Sequence, residues 1–178
     1  MFEDYLQDAC YFYSQALILA KEKREREAKK YYRASTFYAA SAMESYVNYI
    51  GDTFNQGESI DKVEIAFLND KIFEVNFTKA IVEEKAKFNP LENKLKFIIY
   101  KFKVGNNLLK SQEWLYFLRF KDLRNSLVHP RGIDDSLSLS EYKNEIKNGI
   151  NSIIYLINEI STSLFQKPLR KQMLELKL

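Results

Sequence analysis

Apolar positions recur along this chain at three- and four-residue steps over most of its length, the period of helices with one buried face. From about Asp4 to Ile50 the pattern runs with little interruption through Tyr5, Cys10, Tyr13, Leu17 and Ala20, and predicts one long N-terminal helix. Lys21 to Arg33 carries seven basic and three acidic residues; Glu22/Arg26 and Glu25/Lys29 stand at the i,i+4 spacing that suits an exposed helical surface. Ala34 to Ile50 is rich in small residues (Ala34, Ser35, Ala39, Ala40, Ser41, Ala42), which let another helix come close. Phe37, Ala40, Glu44 and Val47 fall on one stripe of it, so Glu44 is an acid on an apolar face. It must either find a cation or donor, or sit at the margin of the stripe and reach water.

Gly51 to Ser59 reads as a loop. Ser59 and Asp61 are candidate caps for the next helix, with Glu64 completing a capping box after Asp61 and the helix running through Val63, Phe67, Leu68 and Ile72. Phe73 to Phe88 is predicted as a second short helix, with Phe77, Ile81 and Val82 on one side. Pro90 suits the first turn of another, whose apolar side is Leu91, Leu95, Ile98, Ile99 and Phe102 and which Gly105-Asn106-Asn107 closes. Ser111 caps the next helix, with Trp114, Leu115, Phe117, Leu118, Leu123 and Leu127 as its apolar surface. Pro130 disfavours α conformation at His129, so that helix ends there or just before. After a short loop with Asp134 and Asp135, Ser138 and Glu141 form a second capping box. The final helix has the cleanest period of all, Tyr142, Ile146, Ile150, Ile153, Ile157, Ile160 and Leu164, and Lys167-Pro168 stops it.

These elements predict an all-α, up-and-down helical bundle. Composition agrees: 178 residues suit one domain spanning 1–178, 46% apolar residues supply a core, and five glycines and three prolines are too few for an all-β fold of many turns. A net charge of +3 permits an acidic partner without demanding one. Cys10 is the sole cysteine and His129 the sole histidine, which excludes an internal disulfide and makes a cysteine- or histidine-built metal centre improbable. Cys10, between Ala9 and Tyr11, is expected to be a buried, inert thiol. Glu3 and Asp4 stand where a signal peptide would be basic, and no apolar run is long enough to cross a bilayer. A soluble, cytoplasmic protein with no cofactor is the expectation.

Candidate chemistry concentrates in Arg124-Asn125-Ser126-Leu127-Val128-His129, followed by Pro130-Arg131-Gly132. An arginine offers a planar, permanently charged fork for phosphate oxygens, and a histidine offers a proton donor or acceptor near neutral pH. Cleaving RNA needs both: a group that moves the 2′-hydroxyl or 5′-oxygen proton, and one that holds charge at phosphorus. Along an ideal helix five residues turn through about 140°, so the two side chains would diverge unless the proline frees His129 from the helical track. Arg119, Lys121, Arg124 and Arg131 outnumber Asp122 nearby, which favours an anionic ligand with Arg119, Lys121 and Arg131 as substrate contacts. Alternatively, Arg124 and Asn125 satisfy buried carbonyls and acids, and His129 is simply a helix-end residue.

The stretch Asp122 to Gly132 resembles the motif of HEPN domains, an arginine followed after four to six residues by histidine, with asparagine common directly after the arginine. Ala39 to Asn48 is similar to an early HEPN helix, Pro90 to Ile98 also carries the likeness, and the terminal helix fits the family's layout, so the resemblance covers most of residues 30–165 but not Lys62 to Phe88. It implies an all-α bundle that commonly dimerises, two motifs meeting at the interface, and metal-independent endoribonuclease activity as found in toxin–antitoxin, CRISPR and phage-defence systems. On that resemblance Arg124 binds phosphate, His129 transfers a proton or orients the ribose hydroxyl, Asn125 hydrogen-bonds the motif or the RNA, and Glu44 positions Arg124. The implied partners are a second copy of the chain, RNA, and an antitoxin or other regulatory protein, without a membrane. Two other readings stand beside it: a non-catalytic HEPN-like module that binds RNA, a nucleotide or a protein, and a structural bundle whose motif only pins a helix.

Overall fold

The structure is a computed structural model and describes residues 1–54, 60–105, 107–129 and 137–178. Among these residues it is a bundle of α-helices with one small two-stranded hairpin: α1 (Phe2–Lys21), α2 (Glu25–Phe54), α3 (Lys62–Leu68), β1 (Lys71–Asn76), β2 (Ile81–Ala86), α4 (Leu91–Lys101), a 3-10 turn (Leu108–Lys110), α5 (Gln112–Val128), α6 (Leu139–Phe165) and a short α7 (Lys171–Leu174). The all-α expectation holds.

The single long N-terminal helix does not. It is two helices folded back on each other, so that Phe2 packs edge-on against Tyr46 while Tyr13 meets Tyr32. The break falls in the charged stretch: Lys23 adopts a left-handed φ of 62°, and the Arg24 N–H donates back to the Leu19 carbonyl at 2.9 Å. Arg24 pairs with Glu22 and Glu27 across the turn. An unbroken helix would have carried its apolar face into water; the hairpin buries it.

Residues 73–88, expected as a short helix, hold most of an antiparallel hairpin in which Val75 faces Val82 and Asn76 faces Ile81. The turn chemistry explains the difference. Asn76 Oδ1 accepts from the Lys79 N–H at 3.1 Å, and Ala80 takes a positive φ of 53°. Cross-strand pairs of opposite charge, Lys71 with Glu84 and Lys85 with Glu74, then lock the register. Phe77, Ile81 and Val82 form no buried helical face; all three are exposed. Accordingly α3 ends at Leu68 and Ile72 belongs to β1. Gly51 is not a loop residue either: α2 continues to Phe54, and a Cβ on Gly51 would overlap Asn69 Oδ1.

The caps fall where the sequence puts them. Asp61 and Glu64 form a capping box, as do Ser138 and Glu141, and Ser111 Oγ accepts from the Trp114 N–H. Pro90 is the N-cap of α4 and not within its first turn. The expected cap Ser59, Asn106, and the Pro130–Gly132 and Asp134–Asp135 stretches lie outside the described residues.

The core is built on α6. Tyr142, Ile146, Ile150, Ile153, Ile157 and Ile160 are all fully buried, and they pack against residues of α1, α2 and α5. Tyr32 stacks on Tyr142 and the Tyr46 hydroxyl meets Ser161 Oγ at 2.7 Å, so α2 and α6 run in the same direction, as alternate helices of an up-and-down bundle do. The C-terminal tail closes one side: Asn151 exchanges two hydrogen bonds with the Leu178 backbone, and Cys10 Sγ donates to the Leu176 carbonyl. Burial pushes the Cys10 thiol from 9.0 up to about 11, as its expected inertness requires. No helix among the described residues is long and apolar enough to cross a membrane.

Two predictions follow from the packing. At Gly149 an added Cβ would overlap the Phe120 ring. Overpacking costs about 1–3 kcal/mol, against about 1 kcal/mol regained from helix propensity. Gly149→Ala should therefore lower the urea midpoint while leaving the slope unchanged. The second concerns alkali. Burial raises Cys10 to about 11, Tyr32 to about 12, and Tyr13 and Tyr46 in the same direction. The unfolded chain loses these protons first, so stability is full below pH 9 and falls as pH rises towards 12. Urea melts across that window should show it, and Cys10→Ala should remove part of the slope.

Candidate functional site

Helix α5 sorts its residues by period. Trp114, Phe117, Phe120 and Leu123 turn into the core, while Lys121, Arg124 and Asn125 stand towards the open side. A cavity of about 390 Å³ lies there, between α5, the Ala40 and Glu44 turns of α2, and the start of α4 with the residues before it. Phe117, Phe120, Leu91 and Ala40 give it apolar walls; Glu44, Glu92, Lys121, Arg124, Asn125 and His129 give it polar ones. Its volume falls within the range of small-ligand pockets.

His129 is the C-cap of α5, with φ −122° and ψ 66°, and its N–H still donates to the Asn125 carbonyl at 3.0 Å. It is solvent-exposed and lines the same cavity as Arg124 and Asn125. The backbone leaves the helical track at this residue, and no hydrogen bond joins His129 to Arg124 among the described residues.

Arg124 is two-thirds buried, and its guanidinium reaches Asn125 Oδ1 at 3.3 Å and Glu44 Oε1 at 3.4 Å. Both contacts are long beside the 2.7–2.9 Å of strong charge-assisted bonds. Glu44 thus meets both expectations raised for it: it is half-exposed to water, and it faces a cation.

Among the described residues, part of the positive charge on this helix is paired with acids from other helices. Lys121 Nζ is held by Glu92 Oε2 at 2.6 Å, and Glu92 also accepts from Lys96 at 2.7 Å. These hydrogen bonds hold the Glu92 carboxyl below its ordinary value and raise Lys121. Among the described residues the cavity lining carries two cations and two acids, because α2 and α4 bring Glu44 and Glu92 to a helix whose own neighbours are basic. Arg119 is exposed and does not line the cavity, and Arg131 lies outside the described residues.

A second cavity of about 220 Å³ abuts the first and shares Glu44, Phe88, Leu91 and Arg124 with it. Its far side is polar, with Asn48, Asp70, Asn89 and Lys94. Lys94 is buried and donates to Asp70 Oδ2 at 2.7 Å, and Asp70 Oδ1 also accepts the Asn89 N–H at 2.8 Å. Phe88 and Glu92 were missed as site residues. Glu92 stands 29 positions from its partner Lys121, a distance no local pattern spans. The sequence pattern puts Phe88 at the end of a helix where the structure has β2 and the residues that follow it.

No group of three or more histidine, cysteine, aspartate or glutamate residues that could hold a metal ion occurs among the described residues. No family model, curated protein or solved structure matches the chain.

The Glu44–Arg124 contact is too long and too exposed to stabilise the fold much. A double-mutant cycle of Glu44→Ala and Arg124→Ala, read by urea denaturation, should return a coupling of about 0.2–1 kcal/mol.

Proposed function

We propose that this protein is a metal-independent endoribonuclease of the HEPN type, cutting single-stranded RNA as a homodimer. The observation that carries the reading is that Arg124, Asn125 and His129 line one solvent-open cavity despite the helical divergence between them. In the reaction the ribose 2′-oxygen attacks the adjacent phosphorus and loses its proton. The P–O5′ bond breaks, and the departing 5′-oxygen takes up a proton, leaving a 2′,3′-cyclic phosphate and a 5′-hydroxyl. Arg124 stabilises the charge that builds at the phosphoryl oxygens. His129 moves a proton, and Asn125 hydrogen-bonds the motif or the strand. Glu44 acts as a positioning residue for Arg124. One imidazole cannot be base and acid in the same step, and a two-fold dimer supplies the second. A role in a cytoplasmic toxin or defence system, under control of an antitoxin or other regulator, belongs to the same proposal.

The charge balance of the cavity favours a second reading. Glu44 and Glu92 offset the two cations, as suits a non-catalytic module that binds RNA, a nucleotide or a protein partner.

Purified protein in EDTA should cut a labelled single-stranded RNA and leave cyclic-phosphate ends. His129→Ala and Arg124→Ala should each lower the rate by about 10²–10⁴-fold with unchanged thermal melting. Light scattering should give twice the chain mass. RNA binding without cutting by wild type would favour the binding module, and absence of both would sink the ribonuclease.

A further inference from the structure

Phe88 is 81% exposed, an unusual state for a phenyl ring beside a cavity. Its backbone is nonetheless held from both sides. The Lys87 N–H donates to the Asp70 carbonyl at 2.7 Å, the Asn89 N–H to Asp70 Oδ1 at 2.8 Å, and Asn89 Nδ2 to the Phe67 carbonyl at 2.9 Å. Pro90 then fixes the entry to α4. Asp70, which anchors this segment, is itself tied to buried Lys94. Phe77, also exposed, is different: it sits at the hairpin turn and lines neither cavity.

Phe88 and Arg124 both belong to the wall shared by the two cavities. An exposed aromatic ring on an anchored stretch of backbone and a guanidinium on one wall match two adjacent parts of a nucleotide: the base, which stacks, and the phosphate, which takes the fork. The balanced charge of the larger cavity sharpens this. Phosphate attraction alone is weak where Glu44 and Glu92 offset the cations, so base stacking must supply much of the affinity.

We infer that Phe88 is a base-stacking platform for single-stranded RNA, seating an unpaired base beside the phosphate held by Arg124. This rests on the ribonuclease reading and names how its substrate is recognised. It also predicts a preference for single strands, since a base paired in a duplex offers no free face to the ring. Because any base has a face to stack, the platform is sequence-tolerant.

The test uses a fluorescein-labelled 2′-O-methyl RNA of about twelve nucleotides, which lacks the attacking hydroxyl and reports binding without cutting. Phe88→Ala, at an exposed position, should leave the fold intact and weaken binding roughly tenfold or more. Phe88→Trp should retain affinity, and its indole should be quenched on binding by more than the change seen in wild type, whose sole Trp114 is buried. The loss caused by Phe88→Ala should vanish with an abasic ribose-phosphate chain. Binding of Phe88→Ala equal to wild type, with Arg124→Ala still impaired, would overturn the platform and leave the ribonuclease standing. Equal competition by a free 5′-mononucleotide would assign the wall to a small nucleotide and overturn the strand. If wild type neither binds nor cuts RNA, both proposals fall.

Discussion

The close approach of α5 to α6 at Gly149 is the constraint on which the rest depends. Phe120 lies where a side chain of α6 would otherwise stand, and this sets how deeply α5 sinks into the bundle. The same ring lines the larger cavity from below. Packing and site are thus one arrangement: with Trp114, Phe117, Phe120 and Leu123 drawn onto the isoleucine stripe of α6, the residues between them on the helix are left at the surface. Arg124 and Lys121 owe their position to what their neighbours bury.

The electrostatics of the site come from helices that are remote in sequence. Glu44 reaches Arg124 across 80 positions and Glu92 reaches Lys121 across 29. The two pairings differ in kind. Lys121 is bound at short range by a carboxylate it shares with Lys96, while Arg124 has only long contacts among the described residues. A phosphate competing for these cations would find Arg124 the easier to recruit. A tightly paired cation and a loosely paired one thus stand within a single helical turn of α5.

Around the mouth of the site the hairpin connection supplies rigidity. Asp70 adopts a positive φ of 56° and, through its carboxylate and carbonyl, gathers Lys94, Asn89 and Lys87. That network anchors the backbone on either side of exposed Phe88.

Much of the bundle is written in local patterns. The isoleucine period of α6, the capping boxes at Asp61 and Ser138, the Ser111 cap and the end of α5 at His129 need only the residues within a turn or two, so sequence alone determines them. The pairing of Arg124 with His129 as a motif was visible for the same reason. Periodicity could not reveal that a charged stretch would turn back at Lys23, since both arms keep helical period on either side of the break. Nor could it separate helix from strand over residues 71–86, where a short apolar pattern fits both and the turn at Asn76 decides. Only tertiary structure brought Glu92 and Phe88 to the cavity and neutralised its lysine, because those contacts join segments whose spacing in the chain carries no trace of their spacing in the fold.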